Sequence, residues 1–183
     1  MKTTSILLLS LAVWLPGLAC AEPASQTEAA GTPTEATDAE PAELLRNGKA
    51  PLDGHLTGGQ PTAEQFETLA GLGYKTIINL RGVDENGSTD PVLVESLGMT
   101  YVSIPISGAA DLSEEKARQL ADVLESAEYP VVTHCGSGNR VGALYAIKAY
   151  YVDGMSPEEA LALGQAAGVT RLEPVVRQQL GLE

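Results

Sequence analysis

The residues best suited to chemistry in this sequence are a thiol and a guanidinium, Cys135 and Arg140, separated by residues 136–139 (GSGN). The preceding run, Val131–Thr133, is apolar and β-branched, which predicts a buried strand. From Val141 onward apolar residues recur at helical spacing, so a tight turn joins the strand to a helix. Backbone amides converge in such a turn and the helix dipole adds partial positive charge, which together make an anion-binding site.

This arrangement predicts a nucleophile inside an oxyanion-binding loop. A thiol surrounded by amides at a helix N-terminus ionises more readily than a free thiol, so we expect Cys135 to be a thiolate at neutral pH. Arg140 presents a planar pair of N–H donors that matches two oxygens of a tetrahedral oxyanion. The competing interpretation is that Cys135 is a small core residue, as buried cysteines often are. The combination of cysteine, two glycines and arginine at a strand-to-helix switch favours the chemical interpretation.

The first 21 residues are predicted to be a secretory signal peptide. Lys2 precedes an apolar run at residues 6–15, and Ala19-Cys20-Ala21 is a small-residue cleavage site. The run is too short for a membrane span, which needs about 20 residues. A cut before Cys20 would instead leave a lipid-carrying N-terminal cysteine. We therefore expect a periplasmic or secreted protein, with a lipoprotein anchored at Cys20 as the alternative.

Residues 22–43 are predicted to be a disordered acidic tether, because they contain six acidic residues, no Lys or Arg, and little that could build a core. The remaining residues, 44–183, suit one domain. The whole chain has a formal net charge of −13, and without the leader and tether the domain keeps −8, from 10 basic and 18 acidic residues. A surface of that sign without a basic stripe argues against a nucleic-acid partner.

The cysteine and histidine counts limit the other chemistries. Cys20 is the only cysteine besides Cys135, so no intramolecular disulfide framework is expected in the domain. A single thiol in an oxidising compartment is a liability, which favours a chemical role for Cys135. His55 and His134 are the only histidines, and no cluster with metal-ligand spacing is visible, so we expect no metal cofactor.

Strands alternate with helices along the domain, which predicts an α/β fold: a parallel sheet of four to five strands with helices on both faces. Strands are predicted at residues 52–60 (an edge strand), 75–80, 99–106 and 131–133. Helices are predicted at residues 61–73, 90–98 and 114–127, from 141, from 157, and at 171–180. Capping residues support the starts of three of these helices: Thr62, Ser113 and Ser156.

Ligands of parallel sheets bind at the carboxyl ends of the strands. The loops after residues 80, 106 and 134 share that rim. Topology therefore places Arg81, Asp84 and Asp111 near Cys135, although their side chains need not point inward.

The segment 134–144 (HCGSGNRVGAL) resembles the signature loop of the Cys-based, dual-specificity-type protein tyrosine phosphatases. The nearer match is their bacterial branch, the beta-lactamase-hydrolase-like phosphatase domain. GGQPTAEQF, GYKTIINLR, YVSIPISG and the SPEEAL helix follow in the order of that branch, so the likeness covers about residues 54–168. The chain departs from the wider superfamily in having four rather than five residues between Cys and Arg, a spacing that the bacterial branch tolerates. It also has Val141 where a Ser or Thr that helps to release the thiolate usually stands.

The resemblance implies a hydrolase of phosphoric monoesters that needs no cofactor and acts on a phosphorylated protein or small molecule. Cys135 would be the nucleophile, Arg140 a phosphate ligand, and His134 the residue that tunes the thiolate. The amides that would line the phosphate-binding loop belong to Gly136, Ser137, Gly138 and Asn139.

The general acid is less closely specified. Asp111 lies in the loop after the strand at 99–106, where the family keeps its acid, but it also precedes the helix cap at Ser113, as acids commonly do. Asp84 is the second candidate. Arg81 would steady the rim or the substrate, although a strand-end arginine is more commonly paired with a surface acid.

Two alternatives stay open. A six-residue loop from Cys to Arg is also what rhodanese sulfurtransferases use to hold a persulfide, although the upstream strands lack the Asp-Val-Arg stretch of that family. The second alternative is a catalytically weak phosphate- or anion-binding domain on the same scaffold.

Overall fold

The computed structural model describes residues 41–82, 85, 87 and 91–182. The predicted signal peptide, all but the last three residues of the predicted tether, and Asp84 therefore lie outside the described residues. Those last three residues belong to a short 3-10 helix, Pro41–Leu44, which is followed by the buried Leu45. None of the helices in the described ranges is long and apolar enough to cross a membrane.

The sheet has five strands in the order β1-β2-β5-β3-β4. Their bounds are β1 Lys49–Leu52, β2 His55–Gly58, β3 Thr76–Asn79, β4 Thr100–Ser103 and β5 Val131–His134. β1 pairs antiparallel with β2, and all other pairs are parallel. This confirms the predicted α/β class and strand number, with one antiparallel edge strand added.

The prediction of a single edge strand at residues 52–60 was wrong. Asp53 and Gly54 make a tight turn between β1 and β2, and Gly54 has a φ of +73°, which a residue without a side chain adopts without strain. Asp-Gly between two strands is a strong hairpin signal. β2 consequently lies inside the sheet beside β5, and residues 56–58 are buried.

In the described part of the chain, six α-helices cover the sheet: α1 Ala63–Gly71, α2 Pro91–Ser96, α3 Glu114–Ser126, α4 Asn139–Tyr151, α5 Pro157–Ala166 and α6 Glu173–Leu180. The predicted caps are present. Thr62 and Ser156 each form a full capping box with the residue three positions on, and the Ser113 hydroxyl accepts from the amide of Lys116. These caps satisfy helix N–H groups that have no partner within the helix.

Adjacent strand residues point to opposite faces, and each face has its own core. Ile77 and Val132 pack with residues of α1 and α2, whereas Ile78 and Val131 pack with residues of α3 to α6. Strands buried on both faces consist of continuous apolar runs, as these do. The predicted placement of helices on both faces is therefore confirmed.

Helix α4 is the most buried helix and carries Arg140 in its first turn. It lies unusually close to α5 and to the segment that follows α5. A Cβ on Gly164 would stand 2.6 Å from the Cβ of Ala146, and one on Gly142 would stand 2.0 Å from the amide nitrogen of Val169. This close approach fixes α4 against its neighbours. The loop at its N-terminus is therefore held by a rigid element.

Candidate active site

Cys135 directly follows β5, the central strand of the sheet. His134, the last residue of β5, is in register with Gly58 of β2 on one side and Asn79 of β3 on the other. The amide of Cys135 extends the pairing by donating to the carbonyl of Gly58 over 3.2 Å. The cysteine therefore stands at the carboxyl edge of the sheet, the position predicted for a ligand site.

The sulfur of Cys135 is turned toward the loop that follows it. The amide of Gly138 donates to Cys135 Sγ over 3.2 Å, although the residue is only 1% exposed and its carbon atoms pack with the core. The sulfur therefore contacts the loop, as the nucleophile interpretation requires, while the residue is also part of the buried core.

Gly138 makes this turn possible. Its φ is +85° and it is the N-cap of α4, so the chain reverses into the helix at a left-handed residue. The helix accordingly begins at Asn139, two residues before the start predicted from the apolar spacing.

The guanidinium of Arg140 is held by two acceptors from other parts of the chain. Nη1 and Nη2 donate in a bidentate manner to the carboxylate of Glu85, the Nη2 bond being 2.9 Å long. Nη1 also donates to the carbonyl of Ile106 over 2.7 Å. An arginine held by three hydrogen bonds is oriented before any ligand arrives.

The remaining edge of the guanidinium faces the loop. Of the five N–H groups of an arginine, the oxygen acceptors use three, which leaves the Nε–H and one Nη2–H of Arg140. Nη2 lies 3.4 Å from the point that a Cβ on Gly136 would occupy. Glu85 raises the pKa of Arg140 most strongly, and the sulfur of Cys135 acts in the same direction. The guanidinium and the sulfur thus belong to one site.

Glu85 was not predicted from the sequence, yet it organises two cations at this rim. Its carboxylate binds Arg140, accepts from Arg81 Nε over 3.1 Å, and accepts from the amide of Gly82 over 2.9 Å. The Arg140 guanidinium chiefly, together with these other donors, lowers the pKa of Glu85 to about 2 against the effect of burial. The only sequence signal was an acid four residues after Arg81 in a polar loop.

Arg81 lies at the same rim and contacts several loop segments. Besides Glu85, its side chain donates to the oxygen of Gln60 over 3.1 Å and to the carbonyl of Gly87 over 2.7 Å, and it is only 12% exposed. Its contacts are with the protein, so it links three segments around the loop. Asp84, the second candidate for the acid, lies outside the described residues.

Asp111 ends a short 3-10 helix, Ala109–Asp111, in the loop after β4. Its Oδ2 accepts from the amide of Ser107 over 2.6 Å, and the residue is half-buried. Ile106, which precedes that amide, binds Arg140 through its carbonyl. The loop that carries Asp111 is therefore tied to the guanidinium, as the rim argument expected.

The remaining predicted loop residues have distinct local partners. The carbonyl of Ser137 accepts from Asn47 Nδ2 over 3.1 Å. The side chain of Asn139 is turned away from the loop, and its Oδ1 accepts from both the amide and the hydroxyl of Thr170 and from the amide of Leu172. Asn139 therefore anchors the loop to the segment before α6, while its backbone stays in the first turn of α4.

His134 is completely buried and packs edge-on against Phe66. Burial lowers the pKa of His134 to about 3, partly opposed by a backbone hydrogen bond with Cys135. The imidazole is therefore neutral at neutral pH. Any influence of His134 on the thiolate is exerted through hydrogen bonds and dipoles, not through a full positive charge.

This burial predicts an acid-dependent loss of stability. The unfolded chain protonates His134 near pH 6.5, whereas the folded chain does so only near pH 3. The stabilisation is thus complete above pH 6.5 and is lost as the pH falls toward 3. We expect the free energy of unfolding to drop by about 2 kcal/mol between pH 7 and pH 5 from this group.

Urea unfolding followed by circular dichroism at the two pH values measures this drop. His134→Gln should flatten the pH dependence whatever its stability at pH 7, whereas His55→Gln should retain most of it. An equally steep dependence in His134→Gln would contradict the assignment. Glu85 contributes only at lower pH, between about 4.5 and 2.

Comparison with known proteins places these residues in a family context. The chain is 31% identical over 115 residues to the beta-lactamase hydrolase-like protein of Xylella fastidiosa, covering 60% of this chain and 26% of that protein. It is 35% identical over 94 residues to the protein of that name from Agrobacterium fabrum, covering 49% of this chain and 22% of the relative. The chain thus spans about a quarter of the length of these relatives.

Solved structures agree with the fold. A candidate phosphatase from Neisseria meningitidis superposes with a TM-score of 0.61 at 27% identity, over 74% of this chain and 97% of that one. A candidate phosphatase from Shewanella putrefaciens, at 18% identity, superposes with a TM-score of 0.58 over 77% of this chain and 95% of that one, and supports the fold alone.

The family comparison bears on the whole domain. Residues 49–176 match the model of a family described as "DSP-PTPase phosphatase fused to NAD+ Kinase". The matched range includes the Cys135 loop, Glu85 and Asp111. This confirms the resemblance seen in the signature loop. The chain belongs to this family of dual-specificity-type, protein tyrosine phosphatase-like phosphatases.

Proposed function

We propose that this protein is a Cys-dependent phosphatase that hydrolyses a phosphomonoester through a phosphocysteine intermediate. The observation that carries the proposal is the juxtaposition of Cys135 Sγ, hydrogen-bonded by the amide of Gly138, with an Arg140 guanidinium whose Nη2 lies beside Gly136 of the same loop. A thiolate and a donor pair around one small space suit a tetrahedral anion.

The reaction proceeds in two displacements. The Cys135 thiolate attacks phosphorus, a P–S bond forms, and the bond from phosphorus to the leaving oxygen breaks, while an acid protonates that oxygen. Water then attacks the phosphocysteine, the P–S bond breaks, and inorganic phosphate and the thiolate are released. Arg140 and the loop amides hold the phosphoryl oxygens, on which the negative charge is concentrated in both steps.

The experiment that tests this function compares two activities side by side. Phosphate release from an aryl phosphate is measured together with sulfur transfer from thiosulfate to cyanide, and an acid-quenched sample is analysed by mass spectrometry for phosphate on Cys135. Phosphate release with a trapped phosphocysteine supports the proposal. Thiocyanate formation without phosphate release would assign the protein to the sulfurtransferases, and silence in both assays would leave an anion-binding domain.

We propose Asp111 as the general acid. Its Oδ2 is occupied by the amide of Ser107, so the transferable proton is placed on Oδ1. We expect Asp111→Asn to slow hydrolysis of an alkyl phosphate by about 10²–10⁴-fold, because its leaving oxygen needs a proton. Hydrolysis of p-nitrophenyl phosphate should change far less, since that leaving group departs as a stable anion. Asp122→Asn, an exposed aspartate on α3, is the control, and equal rates for wild type and Asp111→Asn on both substrates would exclude this role.

We propose that Glu85 positions Arg140 rather than competing with the substrate. Glu85→Gln removes the carboxylate that accepts two charge-assisted hydrogen bonds from Arg140. We therefore expect phosphate to bind about tenfold to a hundredfold more weakly, with a matching fall in kcat/KM. Competitive inhibition by inorganic phosphate measures the affinity. Glu114→Gln is a matched control, because Glu114 pairs with Arg118 at an exposed site. Tighter phosphate binding by Glu85→Gln would show instead that the carboxylate occupies the oxyanion position.

Export is part of the proposal and rests on the sequence of residues 1–21. The same holds for the alternative of a lipid anchor at Cys20. The substrate is proposed as a phosphorylated protein or small molecule, and the net charge of the domain disfavours nucleic acid.

A further inference from the structure

A groove of about 520 Å³ opens beside the catalytic loop, and three of its seven lining residues are cationic. Three segments form it: residues 46–49, the loop at Ser137, and residues 168–171. Arg46, Lys49 and Arg171 contribute their side chains, and no Asp or Glu is among the described residues that line it.

Among the residues that the structure describes, the three cations of this groove have no counter-charge. All three residues are exposed, and none makes an ion pair or side-chain hydrogen bond with any residue that the structure describes. Five of the other basic side chains in the described part, by contrast, are paired with carboxylates. Like charges that converge without counter-charges in an acidic domain raise the local potential for an anion.

The groove is built onto the catalytic loop. Asn47 donates to the carbonyl of Ser137, and the amide of Gly59 donates to the carbonyl of Arg46 over 2.8 Å. On the other side, Thr170 is bound to Asn139, the first residue of α4. Both cation-bearing segments are therefore fastened to residues that follow Cys135.

Ser137 is two residues after Cys135, so their Cα atoms lie at most roughly 7 Å apart. A substrate with its scissile phosphate on Cys135 would therefore have the groove within the reach of a neighbouring group. We propose that this groove binds a second phosphate group of the substrate, an inference that rests on the proposed function. The preferred substrates are then small phosphomonoesters that carry another phosphate close to the scissile one.

Calorimetric titration with two inorganic probes tests this subsite. Inorganic phosphate fills the loop alone, whereas tripolyphosphate is long enough to reach the groove. We expect tripolyphosphate to bind wild type at least about tenfold more tightly than phosphate at 0.15 M salt (about the physiological level), because each charge-assisted hydrogen bond adds substantially to affinity. Arg46→Ala/Arg171→Ala should remove most of that advantage and change phosphate affinity less than about twofold.

The matched control is Lys75→Ala/Lys116→Ala. It removes the same charge from two lysines that make no side-chain ion pair or hydrogen bond with described residues and do not line the groove. This control should keep the tripolyphosphate advantage. Thermal unfolding of both double variants checks that they remain folded. The midpoint should change little, because Arg46, Arg171 and Lys75 are exposed and Lys116 is half-buried without an ion pair among the described residues.

The possible outcomes test the second-phosphate subsite independently of the proposed phosphatase activity. Equal affinities of wild type for the two probes, or an equal loss in the control, would overturn the subsite even if aryl phosphate is hydrolysed. A tripolyphosphate advantage lost only in Arg46→Ala/Arg171→Ala would support it even if no phosphate is released from any substrate. In an active enzyme, the same variant should lose kcat/KM for a bisphosphate selectively over a monophosphate.

Discussion

Cys135→Ser should lower phosphate release from an aryl phosphate by about 10⁴-fold or more while leaving phosphate bound. Serine keeps the shape of the site, but its hydroxyl is not ionised at neutral pH, so the attacking anion is lost. The donors that hold phosphate, Arg140 and the loop amides, are unchanged. Binding and turnover should therefore separate in this variant.

Steady-state phosphate release and calorimetric titration with inorganic phosphate measure the two quantities. Cys20→Ser in the full chain is the control, because Cys20 is the only other cysteine in the sequence. We expect the affinity of Cys135→Ser to stay within about threefold of wild type. Turnover comparable to that of wild type would refute a phosphocysteine mechanism.

Arg140→Lys should lose both binding and turnover, by about 10²–10³-fold in kcat/KM. A lysine ammonium keeps the charge, but it donates from a single nitrogen and cannot serve Glu85, Ile106 and two phosphoryl oxygens together. The neighbouring carboxylate would also hold the ammonium away from the substrate. Phosphate affinity should fall in parallel with the rate.

Arg118→Lys is the control, because Arg118 makes an exposed ion pair with Glu114 that contributes little to stability. Together with Cys135→Ser, the variant assigns separate roles: loss of turnover alone marks the nucleophile, and loss of both marks the phosphate ligand. An Arg140→Lys protein with wild-type affinity for phosphate would exclude the guanidinium from the binding site.

Predictions that depended on neighbouring residues succeeded. The caps at Thr62, Ser113 and Ser156 involve residues three positions apart, and the turn from strand to helix around Gly138 is encoded within a few residues. The hairpin at Asp53-Gly54 is an exception: its signal is equally local, but flanking strands of only four residues are too short to be predicted from alternation.

Predictions that required distant residues to meet were incomplete. Rim topology brought the loop of Asp111 to the site, but it could not select Glu85, which reaches Arg140 across 55 residues of sequence. An acid in a polar loop has no feature in the sequence that distinguishes a surface role from a site role. The basic groove similarly requires three separate segments, each of which is unremarkable alone.

The sequence by itself determined the α/β fold, the nucleophile loop and the family, because strand and helix patterns and the spacing of Cys135 and Arg140 are local properties of the chain. Only the tertiary structure decided where the guanidinium points and which charges surround the loop. Those features depend on how β5 and α4 pack between other segments, on the contact with Arg140 that keeps Glu85 ionised, and on the burial that keeps His134 neutral. Contacts of this kind arise from packing over long sequence separations, about which residue spacing carries no information.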